Sequence, residues 1–194
     1  QEIQLSDIQK EVLLGSLLGD AHINLQRKNA WVKFEQGSNQ YDLIKWKYDI
    51  FNNMSSPIKL NIRQPDKRTG NVYKSYSFYL KSNPALNIFY NNFYQNHVKS
   101  IPFNMLNQYT ELSLATHIMD DGSRNGNSIV LNTQCFQYKE VENFGIFLND
   151  KFDIKCKVRL NREKPILTIS ATSLNLIKFL TNKYIIESMK YKVS

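Results

Sequence analysis

The sequence contains few of the residues that hold cross-linked or zinc-binding small proteins together. Its 194 residues include only two cysteines, Cys135 and Cys156, and three histidines. Two cysteines cannot build a disulfide framework, and no cysteine or histidine pair has the spacing of a zinc site. We interpret both cysteines, which fall in predicted strands, as buried free thiols. The chain must therefore fold by burying apolar side chains, and it is long enough for two small halves that share a core.

Long apolar runs and a basic amphipathic helix are also missing, and no signal or transit peptide is evident. A membrane is therefore not an expected partner. Basic residues outnumber acidic ones: the sequence has 25 Lys and Arg and 17 Asp and Glu, which gives a formal net charge of +8. This excess favours a polyanionic partner, with nucleic acid ahead of a membrane surface. The abundance of Asn, Ile, Lys, Tyr and Phe is typical of AT-rich coding DNA and hints at an organellar origin.

Two apolar stretches that each end in a carboxylate form the clearest pattern in the sequence. Residues 13–21 read LLGSLLGDA, and residues 114–122 read LATHIMDDG. An acidic residue at a helix C-terminus is locally unfavourable, because it faces the negative end of the helix dipole. The same mismatch at matching ends of two helices indicates a positive group between them. We expect a divalent cation between Asp20 and Asp121.

The elements after the two stretches recur in the same order. In the first half the pattern predicts helices over 6–19, 39–53 and 82–97, and strands over 21–25, 31–36, 57–64 and 72–81. In the second half it predicts helices over 111–120, 137–152 and 172–189, and strands over 128–135, 154–160 and 165–171, with a short strand before 128. The predicted fold class is α+β, with two pseudo-twofold-related αββαββα halves. Each half has a curved four-stranded antiparallel sheet, and the halves, 1–98 and 99–194, pack through the two motif helices.

Glycines in the first motif indicate how these helices pack. Gly15 and Gly19 lie on one helix face, where they permit close backbone approach. Parallel packing would place Asp20 and Asp121 side by side, and two such carboxylates stay ionised together only near cations. Oxygen ligands without nitrogen or sulfur partners favour Mg²⁺. Such a site suits phosphodiester hydrolysis. Taken alone, an aspartate at a helix end is more often a solvated group or a cap.

The exposed faces of the predicted sheets provide a candidate DNA-binding surface, because Arg, Lys, Gln and Asn read base edges and hold phosphates. An ordinary solvated sheet face is the alternative. The alternating residues on these faces are Lys33, Glu35, Asn61, Arg63, Lys74, Tyr76, Asn132, Gln134, Lys157, Arg159 and Thr168. The basic residues predicted at hairpin tips, as phosphate contacts, are Arg27, Lys28, Lys67, Arg68, Arg162 and Lys164. Gln36 and Arg124 complete the candidate DNA-binding set.

Lysines near the ends of the halves could supply further positive charge to the site. Lys99 ends the first half, and Lys190 and Lys192 end the second. One lysine from each half could approach the two aspartates and stabilise charge that develops on phosphate oxygens. The alternative role is to offset a helix dipole. The three histidines share no ligand spacing, and we interpret His117, on a motif helix, as a packed side chain.

These residues and their order resemble the LAGLIDADG homing endonucleases in their single-chain, two-motif form. The resemblance covers nearly the whole chain, and residues 99–102, 114–136 and 189–193 are especially similar to the omega-type intron endonuclease of yeast mitochondria. It implies a monomeric, intron-encoded enzyme in a mitochondrion or another organelle. Such an enzyme cleaves both strands of a long double-stranded DNA site with Mg²⁺ and leaves short 3′ overhangs. Mn²⁺ would replace Mg²⁺, and Ca²⁺ would bind without supporting cleavage. An RNA maturase that binds its intron, or a non-catalytic DNA-binding protein of this fold, is the alternative.

The resemblance also implies roles for single residues. The metal-binding acids fall on Asp20 and Asp121, and the backbone carbonyls of Gly19 and Asp120 would be further ligands. The second motif has Asp120 where the first has Gly19, which implies an asymmetric helix interface. The remaining active-site positions fall on Lys99, on Lys192 with Lys190 as its competitor, on Glu35 or Gln36, and on Gln134.

Overall fold

The computed structural model describes residues 4–194, so residues 1–3 of the predicted N-terminal half lie outside it. It confirms the order αββαββα in both halves. The first half contains α1 (Asp7–Leu18), β1 (His22–Gln26), β2 (Asn29–Gly37), α2 (Tyr41–Phe51), β3 (Lys59–Ile62), β4 (Lys74–Asn83), α3 (Asn87–Phe93) and a small hairpin of β5 (Tyr94–Gln95) and β6 (Val98–Lys99). The second half contains α4 (Glu111–Asp121), β7 (Gly122–Asn125), β8 (Ser128–Leu131), α5 (Tyr138–Phe152), β9 (Cys156–Asn161), β10 (Lys164–Ile169) and α6 (Leu174–Thr181).

Each half has one four-stranded antiparallel sheet, and the two sheets share the same topology. The strand orders are β1-β2-β4-β3 and β7-β8-β10-β9. In both sheets the second and fourth strands of the half pair in the centre, and the first and third form the edges. The matching orders confirm the predicted pseudo-twofold relation. Within residues 4–194, no helix has the length and apolar character that crossing a membrane requires.

Helices α1 and α4 run in the same direction and pack side by side between the two sheets. A Cβ on Gly15 would lie 2.3 Å from the carbonyl oxygen of Ser113, and a Cβ on Gly19 would lie 2.6 Å from the Cβ of Asp120. The contact on α4 therefore moves forward from Ser113 to Asp120 as α1 is followed from Gly15 to Gly19, which is the pattern of parallel helices. The two glycines allow this close approach, as the motif predicts, and one apolar cluster extends through both halves.

The start of this helix seam is fixed by side-chain caps. Ser6 and Gln9 form a capping box at the start of α1. The Thr110 hydroxyl accepts a hydrogen bond from the Ser113 N–H at the start of α4 and donates one to the Glu11 carboxylate of α1, at 2.6 Å. Thr110 therefore caps one motif helix and holds it against the other.

His117 is a packed side chain within the seam, as predicted. It is fully buried, and its Nδ1 lies 3.2 Å from the hydroxyl of Tyr109. Burial lowers the pKa of His117 to about 3, so the imidazole stays neutral in the folded protein.

The last helix of each half is shorter than predicted. Helix α3 ends at Phe93 because Asn96 and His97 have positive φ and form the turn of the β5–β6 hairpin, a conformation that an α-helix cannot continue. This hairpin spans the predicted boundary between residues 98 and 99. Helix α6 ends at Thr181, and a separate 3₁₀ helix over Glu187–Lys192 follows it.

The prediction that Cys135 is buried in a strand is wrong. Strand β8 ends at Leu131, and a turn follows in which the N–H of Phe136 donates to the carbonyl oxygen of Thr133 at 3.0 Å. Cys135 is exposed within this turn, whereas Cys156 is partly buried in β9, and both are free thiols.

The prediction that Lys74 and Tyr76 lie on the open face of the first sheet is also wrong. Tyr76 is two residues from the core residue Phe78, so both side chains point to the helix side of the sheet. The centroid of the Tyr76 ring lies 4.7 Å from that of Tyr41 on α2. Lys74, two residues earlier, shares that side. The strand register explains the error. Asn61 lies opposite Ser75, so Ser75 shares the open face with Asn61, and its neighbours Lys74 and Tyr76 point to the other face.

Candidate active site

The carboxylates of Asp20 and Asp121 lie at the same end of the helix seam. Asp20 follows the C-cap of α1, and Asp121 is the last residue of α4. Burial raises the pKa of Asp121 to about 7, and the charges of Asp20 and Asp120 act in the same direction. The three carboxylates are therefore close enough to repel one another. A cation between them would relieve this repulsion.

The buried side chain of Gln36 joins the exposed Asp20 to the buried Asp120. Gln36, near the end of β2, donates to Asp20 Oδ2 at 3.1 Å and to Asp120 Oδ1 at 3.3 Å. The Nζ of Lys47, on α2, lies 2.5 Å from the same Asp120 oxygen, and neither side chain is more than 1% exposed. Burial raises the pKa of Asp120 to about 6 although Lys47 opposes the shift, and Asp120 Oδ2 is buried without a hydrogen-bond partner.

Lys47 is absent from the residues that the sequence predicts for this site. One signal could have identified it. Leu43, Ile44, Lys47 and Phe51 are the buried residues of α2, so Lys47 stands in the apolar stripe where a lysine is unexpected. A lysine in such a position needs a buried acidic partner.

Lys190 and Lys192, near the C-terminal end of the chain, are alternative candidates for one active-site position, and their contacts distinguish them. Lys192 is 5% exposed, and its Nζ donates to the carbonyl oxygens of Met119 at 2.5 Å and Asp120 at 2.9 Å. Lys190 instead forms an ion pair with Glu187 at the surface. Lys192 therefore lies at the end of α4 beside the carboxylates, and Lys190 does not.

Lys99, at the end of β6, also lies near the acidic cluster but has different contacts. Its Nζ is 5.7 Å from the centroid of the Phe136 ring. Burial lowers the pKa of Lys99, and the charges of Asp121 and Asp20 oppose the shift. Each half therefore places one lysine near the acidic cluster, but Lys192 binds backbone carbonyls and Lys99 lies over an aromatic ring.

The two half-sites differ in how the aspartates are held. Gln36 contacts Asp20, whereas Glu35 points to the open face and pairs there with basic side chains. In the second half, Gln134 donates to Asn132 Oδ1 at 3.4 Å rather than to an acid. Among the residues that the structure describes, no side chain donates a hydrogen bond to the carboxylate of Asp121.

Basic and polar side chains follow the open face of each sheet, which the helices leave uncovered. Asn61 lies opposite Ser75 on this face, and Lys157 lies opposite Thr168. Arg124 points to the helix side instead, because it lies opposite the core residue Ile129. Its Nη1 is buried without a hydrogen-bond partner. The basic residues predicted for the open faces that lie there are Lys33, Arg63, Lys157 and Arg159. The exposed basic residues near the hairpin tips are Arg27, Lys28, Lys67, Arg68, Arg162 and Lys164.

The donor set at the seam fits a hard divalent cation that is completed by substrate. Within residues 4–194, no three His, Cys, Asp or Glu side chains are grouped so that they alone could hold a metal ion. Mg²⁺ is usually bound by one or two carboxylates, with water and substrate phosphate in the remaining positions. Two carboxylates at the end of the seam match that pattern. They do not match a closed site built from protein ligands.

A family model described as the LAGLIDADG DNA endonuclease family matches residues 10–177 of this sequence. The chain belongs to this family. The probable intron-encoded endonuclease 1 of Wickerhamomyces canadensis is 36% identical over 203 aligned residues, which cover 97% of this chain and 85% of that protein. The homing endonuclease I-WcaI bound to its DNA recognition sequence superposes with a TM-score of 0.90 and 33% identity, over 99% of this chain and 88% of that one.

A relative with a different name is also similar. The cytochrome b mRNA maturase bI2 of Saccharomyces cerevisiae is 28% identical over 198 residues, which cover 94% of this chain and 46% of the maturase. The comparisons confirm the predicted single-chain, two-motif LAGLIDADG fold. The relatives of this chain are thus named as endonucleases or as maturases.

Proposed function

We propose that this protein is a homing endonuclease that hydrolyses both strands of a long double-stranded DNA site with a divalent metal and leaves short 3′ overhangs. One observation carries the proposal. Asp20 and Asp121 meet at the end of the seam between two basic sheets, with Lys99 and Lys192 beside them. The similarity to a homing endonuclease that was solved on its DNA recognition sequence supports the same function.

Each group in the site has a role that follows from its contacts. Asp20 and Asp121 would hold the metal, with the carbonyls of Gly19 and Asp120 as further ligands. Bound there, Mg²⁺ or Mn²⁺ would activate a water nucleophile and stabilise the leaving oxygen, whereas Ca²⁺ would bind without supporting hydrolysis. Gln36 fixes the orientation of the Asp20 carboxylate.

The lysines and the second half-site complete the proposed machinery. Lys99 and Lys192 would stabilise negative charge on the phosphate oxygens, because both are charged groups held in partly desolvated positions. Gln134 would order water in the second half-site. The hydrogen bonds of Lys192 to two carbonyls of α4 hold its ammonium group in place before DNA arrives.

The open faces would bind successive major grooves of the duplex. Asn61, Arg63, Lys157 and Arg159 face away from the helices and would contact base edges or phosphates. The basic hairpin tips would contact phosphates. Lys74, Tyr76 and Arg124 lie on the helix side and are not included.

We further propose that the protein acts as a monomer, with residues 1–98 and 99–194 as its two halves. One chain supplies both acids and both lysines, so a second copy is unnecessary. Relatives named as intron-encoded endonucleases and mRNA maturases support an intron origin and a location in a mitochondrion or another organelle. The maturase relative makes binding of intron RNA the second candidate function.

The function is tested with the host locus in its intronless and intron-containing forms. We expect Mg²⁺-dependent cleavage of the intronless locus only, because an intron would interrupt a site bound by both sheets. Ca²⁺ should support binding without cleavage. Tight binding to the intron RNA with no cleavage of either DNA would favour the maturase alternative and contradict the proposal.

A further inference from the structure

The open face of the first sheet carries an aromatic pair among its polar and basic residues. Trp31 on β2 and Tyr79 on β4 point away from the helices, because the neighbours of Tyr79 along its strand, Phe78 and Leu80, are buried in the core. The ring centroids of the pair are 5.5 Å apart, and the ring planes are tilted by 48°. Both side chains are half-buried.

Polar groups border this pair on both sides. Asn24 lies opposite Trp31 in the β1–β2 register, and Lys33 lies opposite Tyr79 in the β2–β4 register. Together with Gln26 and neighbouring residues, the two rings line an open cavity of about 520 Å³. An apolar surface is therefore framed by amide and ammonium groups on the face that would bind DNA.

The chemistry of the major groove offers one apolar group that fits this surface. Thymine presents a 5-methyl group there, next to its O4 acceptor, whereas cytosine presents an amino group and no methyl. The Asn24 and Gln26 amides and the Lys81 ammonium line the cavity beside the rings, so they are donors for O4 when the rings contact the methyl group. The second sheet lacks this arrangement, because none of the residues of β7–β10 is aromatic.

We propose that Trp31 and Tyr79 contact thymine methyl groups and so select thymine in the half of the target that the first sheet binds. The inference rests on the proposed DNA-binding function and specifies its substrate. Cross-strand aromatic pairs can also serve only to stabilise a sheet. A test must therefore change the methyl group and leave the protein intact.

Replacing thymine with uracil removes the methyl group and keeps every hydrogen-bonding edge. The full chain is first used to select its site from a random duplex library in Ca²⁺. An iron chelate attached at Lys67→Cys, in a Cys135→Ser background, marks the half bound by the first sheet. Uracil then replaces thymine in one half at a time. We expect Kd to rise about fourfold for each contacted methyl in the first half, because burying one such group contributes about 0.8 kcal/mol.

Variants separate DNA recognition from sheet stability. Trp31→Ala should abolish the difference between thymine and uracil in the first half and leave the second half unchanged, whereas Trp31→Phe should keep part of the difference. Tyr41→Ser, at an exposed aromatic residue on the helix side, should discriminate as the parent protein does. If Trp31→Ala fails to fold, the uracil series on the parent protein still decides the question.

Two results would overturn the inference and leave the endonuclease function standing. One is equal affinity for thymine and uracil in the first half, with the uracil duplex still cleaved in Mg²⁺. The other is a selected site without a thymine preference in that half. Failure to select any DNA would instead contradict the proposed function itself.

Discussion

At the end of the helix seam, Asp120 and Asp121 place two carboxylates in a largely desolvated space, and the exposed Asp20 lies beside them. Lys47 forms an ion pair with Asp120. Burial and mutual repulsion raise the pKa of Asp121 to about 7. This arrangement opposes folding at neutral pH, and a bound cation would offset it.

Removing the charge of Asp121 should therefore stabilise the metal-free protein. A carboxyl whose pKa is about 7 when folded and 3.8 when unfolded binds more protons in the folded state, so stability falls as pH rises from about 4 to 7. At pH 8, in a chelating buffer, Asp121→Asn should raise the free energy of unfolding by roughly 2 kcal/mol. Urea unfolding measures this, with Asp150→Asn, at an exposed aspartate, as the control. A less stable Asp121→Asn protein would contradict the proposed repulsion.

Lys47 should have a much larger effect on stability than its neighbour Lys45. Lys47→Met leaves the buried carboxylate of Asp120 without its partner, and such a loss typically lowers stability by about 3–5 kcal/mol. Lys45→Met removes an exposed pair with Asp49 and should change stability by less than about 1 kcal/mol. The double variant Lys47→Met/Asp120→Asn should recover most of the loss. Equal effects of the two lysine substitutions in urea unfolding would refute the buried pair.

Helices α1 and α4 depend on close backbone contact along their shared face. Alanine normally favours a helix over glycine by about 1 kcal/mol. At Gly15, however, a Cβ would meet the backbone carbonyl of Ser113 at 2.3 Å, which cannot move aside as a side chain can.

Gly15→Ala should therefore lower the free energy of unfolding, by about 1–3 kcal/mol, through overpacking of the seam. Gly145→Ala is the matched control, since this glycine also lies inside a helix and its Cβ would first meet the flexible end of Leu167 at 3.1 Å. That variant should be close to neutral. Stability of Gly15→Ala at or above the parent level would show that the seam is not tightly packed.

At the level of helices and strands, the sequence predicts the order of elements because the apolar spacing repeats in both halves. It also predicts the seam, because two glycines on one helix face indicate close packing. It does not predict the ends of α3, where Asn96 and His97 take positive φ without being glycine. Nor does it predict the face of Lys74 and Tyr76, because strand register depends on pairing between segments distant in sequence. No sequence motif identifies the Lys47–Asp120 ion pair, because the two residues are 73 positions apart in the chain.

At the level of the whole molecule, two basic sheets related by a pseudo-dyad meet at one acidic centre. A long DNA duplex bound across both sheets would have many phosphates neutralised, so affinity should fall steeply with salt.

The tip between β9 and β10 tests this binding mode. Arg162→Gln with Lys164→Gln should reduce the magnitude of the slope of log Kobs against log salt by about 2, because two phosphate contacts are lost. Lys139→Gln with Lys178→Gln removes the same charge from helices α5 and α6 and should leave the slope nearly unchanged. Equal changes in the two double variants would indicate a general charge effect rather than contact at the tip.

The central claim is that Asp20 and Asp121 form one metal-dependent site that cuts both strands of DNA. Single-turnover cleavage in Mg²⁺, on a target whose two strands carry different labels, tests it most directly. We expect the parent protein and Asp150→Asn to cut both strands and leave 3′ overhangs. Asp20→Asn and Asp121→Asn should each slow cleavage by about a hundredfold or more while binding the target normally in Ca²⁺. Cleavage of both strands at the parent rate by either variant would contradict the claim.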